Sequence, residues 1–112
     1  MKLFKGRKGE DLALEYLEKN GFVIIEKNFR SRFGEIDLIV KDGQTIVFVE
    51  VKYRLSENYG SPKEAVTNEK IKKIIRTAQY FITKNNFNSL YRFDVVSIYK
   101  DKIEHIKNAF TL

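Results

Sequence analysis

Residues 45–52, Thr-Ile-Val-Phe-Val-Glu-Val-Lys, constrain this chain more than any other stretch. Their β-branched and aromatic side chains read as a buried strand. Yet an acid and a base stand on it two residues apart. Side chains alternate across a strand, so Glu50 and Lys52 share a face with Ile46 and Phe48. A charge set against an apolar wall must find a partner or neutralise, because burying it alone costs several kcal/mol.

The partners are expected on the preceding strand, which carries Gly34-Glu35-Ile36-Asp37. Asp42-Gly43 is a strong signal for a two-residue hairpin turn between the two strands. With those two residues as the loop, Lys41 pairs with Gln44, Asp37 with Phe48, Glu35 with Glu50 and Phe33 with Lys52. Facing residues of a hairpin project to one side, so Glu35, Asp37, Glu50 and Lys52 share a face. Asp37 and Glu50 become diagonal neighbours, about 7 Å apart at the backbone, close enough to clamp one cation. A loop one residue longer or shorter would put them on opposite faces.

A chain of 112 residues predicts one domain, 1–112, with a single core. Nine Phe and six Tyr supply large side chains for it. The absence of cysteine excludes disulfides and thiolate metal sites and suits the cytoplasm. No run approaches the length of a membrane span, and residues 1–6 lack the pattern of a signal peptide. The net charge of +6 draws polyanions, of which nucleic acid is the commonest. An acidic pocket in a basic protein suits a metal-bound site approached by a phosphate backbone.

Periodicity orders the elements α-β-β-β-α-β-β. A helix is predicted over Arg7–Asn20, with Leu12, Ala13, Tyr16 and Leu17 as its apolar stripe and Gly21 as its stop. Strands follow over Phe22–Phe29, Gly34–Lys41 and Gln44–Tyr53. A polar loop covers Leu55–Gly60, and Ser61-Pro62-Lys63-Glu64 has a helix-capping pattern. A second helix spans Asn68–Lys84, with Ile71, Ile74, Ile75, Ala78 and Ile82 at helical spacing. Asn85–Ser89 is rich in turn residues, Arg92–Tyr99 is another buried strand, and Lys102–Ile106 closes a terminal hairpin. A helix between two apolar strands predicts a right-handed crossover joining parallel neighbours.

Two carboxylates at hairpin spacing with a lysine nearby can run phosphodiester hydrolysis. Asp37 and Glu50 would hold Mg²⁺ or Mn²⁺, hard cations that prefer oxygen. Lys52 would orient water and meet a phosphate oxygen. No base of neutral pKa is needed, so the near absence of histidine is no obstacle. The rival reading is a solvated hairpin face with ordinary charge pairs. The acid-x-Lys pattern falls inside an apolar strand with Asp37 in phase, and this favours the metal site. Glu10 borders the helix face that packs on the sheet; it is either a third ligand or a charge complementing the helix dipole.

Arg30, Arg32 and Arg54 cluster at the hairpin ends, and Lys70, Lys72, Lys73 and Arg76 stud the second helix. Such groups suit phosphate contacts, although a solvated helix face explains most single members. Gln79 reads as a surface residue, His105 as structural, and Asp94 as part of a buried salt bridge.

Gly34-Glu35-Ile36-Asp37, then Phe48-Val49-Glu50-Val51-Lys52 and Arg54, resembles the PD-(D/E)xK nuclease signature. With Gly6-x-x-Gly9-Glu10-x-x-Ala13, Gly60-x-Pro62-x-x-Ala65-Val66, Arg92-Phe93-Asp94-Val95-Val96 and Asn108-Ala109-Phe110, nearly the whole chain resembles the YraN-like family of small bacterial endonuclease-like proteins. The resemblance implies a restriction-endonuclease-like α/β fold with a mixed central sheet, related to archaeal Holliday-junction resolvases. It puts Asp37, Glu50 and Lys52 in catalytic positions and Glu10 in that of a helix-borne acid. No proline precedes Asp37, a departure common in the family. The expected activity is a Mg²⁺-dependent DNA endonuclease, with branched DNA as substrate, acting as a homodimer. The alternatives are a non-catalytic nucleic-acid-binding protein that keeps the fold, and a nuclease directed at RNA.

Overall fold

The computed structural model describes residues 5–54, 66–85 and 88–111, with side chains from Gly9 onward. Its elements run α1 (Lys5–Lys19), β1 (Val23–Ser31), β2 (Gly34–Asp42), β3 (Thr45–Arg54), α2 (Asn68–Asn85), β4 (Leu90–Tyr99) and β5 (Lys102–Phe110). The predicted order holds, and the outer strands run longer than periodicity suggested. The loop Leu55–Gly60 and the pattern Ser61-Pro62-Lys63-Glu64 lie outside the described residues.

Local chemistry sets the helix ends. At the end of α1, Gly21 N–H bonds to Glu18 O at 3.1 Å and Phe22 N–H to Leu17 O at 3.0 Å. That pair of bonds is a Schellman closure, and Phe22 packs in the same core as Leu17, as the motif favours. Thr67 caps α2, its Oγ1 accepting from Lys70 N–H at 3.1 Å.

The sheet order is β1-β2-β3-β4-β5. β3 and β4 are parallel, with α2 between them in the chain, as the crossover rule predicts. The other neighbouring pairs are antiparallel. Helices cover both faces. Ala13 and Leu17 of α1 pack on Leu38, Val40, Val47, Val49, Val96 and Ile98. Ile74, Ala78 and Phe81 of α2 pack on the opposite face, against Phe29, Ile39, Ile46, Phe48, Phe93 and Val95. A strand covered on both sides has no polar face, which is why Thr45–Val51 lacks alternation. No helix among the described residues is long and apolar enough to cross a membrane.

The β2–β3 register differs from expectation. Asp42 pairs with Thr45, Lys41 with Ile46 and Val40 with Val47, so the loop is Gly43-Gln44 rather than Asp42-Gly43. Gly43 has φ of 63°, whereas Asp42 keeps an ordinary strand conformation. A turn with glycine at its first central position needs positive φ only there, whereas the expected turn needs it at both loop residues. The loop keeps two residues and moves by one position, so each pairing shifts by two. A shift of two preserves the faces. Phe33 does not pair with Lys52; Ser31 pairs with Gly34, which leaves Arg32-Phe33 as the turn between β1 and β2.

A candidate active site where two strands part

The β2–β3 ladder ends at Leu38–Val49. Continued by one step, its register sets Asp37 directly opposite Glu50 rather than on a diagonal. There the side chain of Asp37 takes over from the ladder: its Oδ2 accepts Val51 N–H at 2.8 Å. Ile36 lies in the α2-side core and Leu38 in the α1-side core, although they are two apart. Alternation is thus broken across Asp37, as expected of a strand that twists away from its neighbour.

Glu50 is 4% exposed. Two ammonium groups compensate it, Lys70 Nζ at 3.2 Å and Lys52 Nζ at 3.7 Å, both on Oε2. Among the described residues no ammonium or guanidinium pairs with Asp37 in the same way. Burial, the charge of Glu50, the charge of Glu10 and a hydrogen bond to Glu50 push its carboxyl up to about 7, against the pull of Val51 N–H. Charging Asp37 beside Glu50 is therefore costly.

Glu10 approaches from α1. Gly9, its neighbour, is buried where a Cβ would stand 3.0 Å from the Tyr53 ring, so glycine lets the helix settle against β3. Burial raises the Glu10 carboxyl above its ordinary value, opposed by Asn28 and reinforced by Glu35, Asp11 and Glu50. Asn28, with its amide nitrogen turned to the acids, donates to Glu10 Oε1 at 3.1 Å and Glu35 Oε2 at 3.2 Å. It takes φ of 52°, a conformation asparagine tolerates better than most residues. Sequence reasoning missed Asn28. An asparagine inside a strand pattern was the available signal. Lys70, expected at phosphate, stands against Glu50 at 3.2 Å.

The other basic candidates are scattered. Arg30 pairs with Glu35 at 3.4 Å and Arg54 with Glu104 at 3.9 Å. Arg32 and Lys73 line a cleft beside α2 with Lys72, Arg76 and Gln79. Asp94 is wholly buried. It is held by Arg92 at 2.8 Å, His105 at 2.7 Å and Asn108 N–H at 3.0 Å. Burial would raise it, but those three donors outweigh burial and hold its pKa below the usual range. His105 Nδ1 lies 3.2 Å from Tyr16 Oη, so the pair ties α1 to the sheet, as the structural reading expected.

Oxygen donors match a hard divalent cation, and the charge conflict at Asp37 and Glu50 is what such an ion relieves. Among the described residues no trio of acidic or histidine side chains closes into a ready cage. Asp37 and Glu50 are the two carboxyl groups that could hold such an ion.

Helices on both faces of a mixed sheet make this a restriction-endonuclease-like α/β fold. A Holliday junction resolvase, Hjc of Archaeoglobus fulgidus, has a similar fold: TM-score 0.61 at 20% identity, over 88% of this chain and 72% of that one. The chain belongs to the family described as Uncharacterised protein family UPF0102, whose profile matches residues 9–98, and which is the YraN-like group its motifs resemble. A UPF0102 protein of Persephonella marina is 51% identical over 109 residues, covering 96% of this chain and 94% of the relative. One from Thermodesulfovibrio yellowstonii is 50% identical over 105 residues, covering 94% of each.

Proposed function

We propose that this protein is a metal-dependent DNA endonuclease that cuts branched DNA. One observation carries the reading: a buried Glu50 beside a half-buried Asp37 at the parting of β2 and β3, with Lys52 Nζ 3.7 Å from Glu50. Likeness of fold to a Holliday junction resolvase supports branched DNA as the substrate class. In this mechanism Asp37 and Glu50 would hold Mg²⁺ or Mn²⁺, with Glu10 as the assisting acid. The bound cation supplies Lewis acidity toward phosphate and a lowered pKa for water. Asp37 would serve that ion as the carboxylate. Lys52 leaves Glu50 for a non-bridging phosphate oxygen and steadies the attacking water. Lys70 stays on Glu50 and fixes its rotamer. Two opposed strands of a junction require two sites, so the working form is a homodimer.

The experiment is an incubation of branched, flapped, single-stranded and linear DNA with Mg²⁺, with Mn²⁺ and with chelator. Cleavage is expected on branched DNA with metal only. Asp37→Asn, Glu50→Gln and Lys52→Ala each lower the rate by about 10²-fold or more. Cleavage that survives Glu50→Gln or chelation defeats the mechanism. The two lysines already on Glu50 favour a second reading, a nucleic-acid-binding protein that keeps the fold without hydrolysis. Calorimetry with Mn²⁺ on the parent and Asp37→Ala separates the two, because only the nuclease binds the ion through Asp37.

A further inference from the structure

The turn between β1 and β2 is built as a firm projection. Ser31 Oγ accepts Phe33 N–H at 3.0 Å and lies 3.3 Å from Thr77 Oγ1 on α2. Thr77 in turn bonds back to Lys73 O at 2.9 Å. Gly34 lies so close to α2 that a Cβ there would stand 3.4 Å from both Lys73 Cβ and Thr77 Oγ1. The tip, Arg32-Phe33, is thereby held against the helix rather than left free.

Two recesses flank that tip. One, of about 530 Å³, is lined by Arg32, Phe33, Lys72, Lys73, Arg76 and Gln79. Glu69 is the one acid on its wall, against four cationic side chains. The other, of about 320 Å³, is lined by Ser31, Arg32, Phe33 and Tyr80, and Tyr80 is 44% exposed. Two guanidiniums lie over the Phe33 ring, Arg32 at 5.1 Å and Arg76 at 5.9 Å from its centroid. A half-buried phenyl ring dressed with two planar cations is a surface on which a nucleobase can stack. Lysines on the same wall offer contacts for its phosphate.

Chain spacing sets the recess a short distance from the candidate active site. Phe33 precedes Asp37 by four residues, about 13 Å along a strand. Lys73 follows Lys70, the partner of Glu50, by roughly one helical turn.

We propose that Phe33, with Arg32 and Arg76, is a stacking platform for an unpaired nucleotide of a DNA substrate, selecting DNA in which the strands separate near the scissile phosphate. It rests on the nuclease reading for the identity of the polymer and adds to it the feature recognised. A fully paired duplex offers no free base face, so the platform gains nothing from it. DNA with an unpaired base gains the stacking contact in addition to the backbone contacts.

Binding is measured in chelator, so that no strand is cut. The probes are a DNA duplex with one unpaired 2-aminopurine and the same duplex fully paired. The parent protein is expected to quench the unpaired 2-aminopurine by stacking and to prefer that DNA. Phe33→Leu weakens binding of the unpaired probe about ten-fold and abolishes quenching, with less than about two-fold change on the paired duplex. Phe33→Trp keeps both. If Phe33→Leu melts below the assay temperature, Phe33→Met, close in volume but without a ring face, decides by the same two readings. Equal weakening on both probes, or no quenching by the parent, overturns the platform. Quenching with no cleavage of any DNA by any metal would sink the hydrolysis reading and leave the platform standing. Cleavage without preference for the unpaired probe would sink the platform alone.

Discussion

Asp37 is the residue on which the site turns. Its carboxyl is pushed up to about 7 from an ordinary 3.8, so the folded protein holds that proton more tightly than the unfolded chain. The resulting stability is complete below about pH 4 and is lost as pH rises through about 7, up to about 4 kcal/mol in all. In chelator, Asp37→Asn is expected to gain on the parent by about 2–3 kcal/mol between pH 5 and 8, as read by urea unfolding. An unchanged difference across that range would mean that Asp37 titrates normally. Mn²⁺ must displace the same proton, so its affinity should rise about ten-fold per pH unit below 7 and level off above it. Asp94 behaves oppositely. Its donors hold the charged form, so its contribution is present above the unfolded pKa and lost as pH falls through the lower folded one. Asp94→Ala leaves Arg92 and His105 facing an empty, buried position and should cost about 3–5 kcal/mol in urea unfolding at neutral pH.

Among the elements, α2 does two jobs. Ile74, Ala78 and Phe81 close one core, while Lys70, Lys73 and Arg76 lie along the line from Glu50 to the β1–β2 turn. Its start is fixed by Thr67, so the cap also fixes where Lys70 meets Glu50. Thr67→Ala is expected to lower stability by about 1 kcal/mol. If the first turn of α2 frays, the Asp37–Glu50 pair loses its nearest cation. Periodicity located α2 to within one residue, because its apolar spacing is long and regular. Its cap was not read from sequence, because Thr67 is recognised only by its bond to Lys70 N–H. The Asp42-Gly43 turn failed for a similar reason. Sequence shows which residue tolerates positive φ, but strand pairing decides whether one or two loop residues must adopt it.

For the whole molecule, the net charge of +6 and the basic wall beside α2 predict salt-dependent DNA binding. With about four to six phosphates contacted, raising salt from roughly 50 to 200 mM should weaken binding about 10²–10³-fold. A salt-independent affinity, measured by fluorescence anisotropy, would rule out the phosphate contacts. The order of elements and the burial of β3 follow from the chain alone. They rest on side-chain periodicities of 2 and 3.6, which are local properties, and even a turn displaced by one position keeps the parity of the strands. What only the tertiary structure decided is who meets whom beyond the hairpin: Lys70 on Glu50, Asn28 between Glu10 and Glu35, Val51 N–H on Asp37, and the Phe33 tip against α2. Those contacts join residues far apart in the chain or depend on a broken ladder. Each is set by how two helices and five strands pack together, a global balance of volume and charge that no short window of sequence contains.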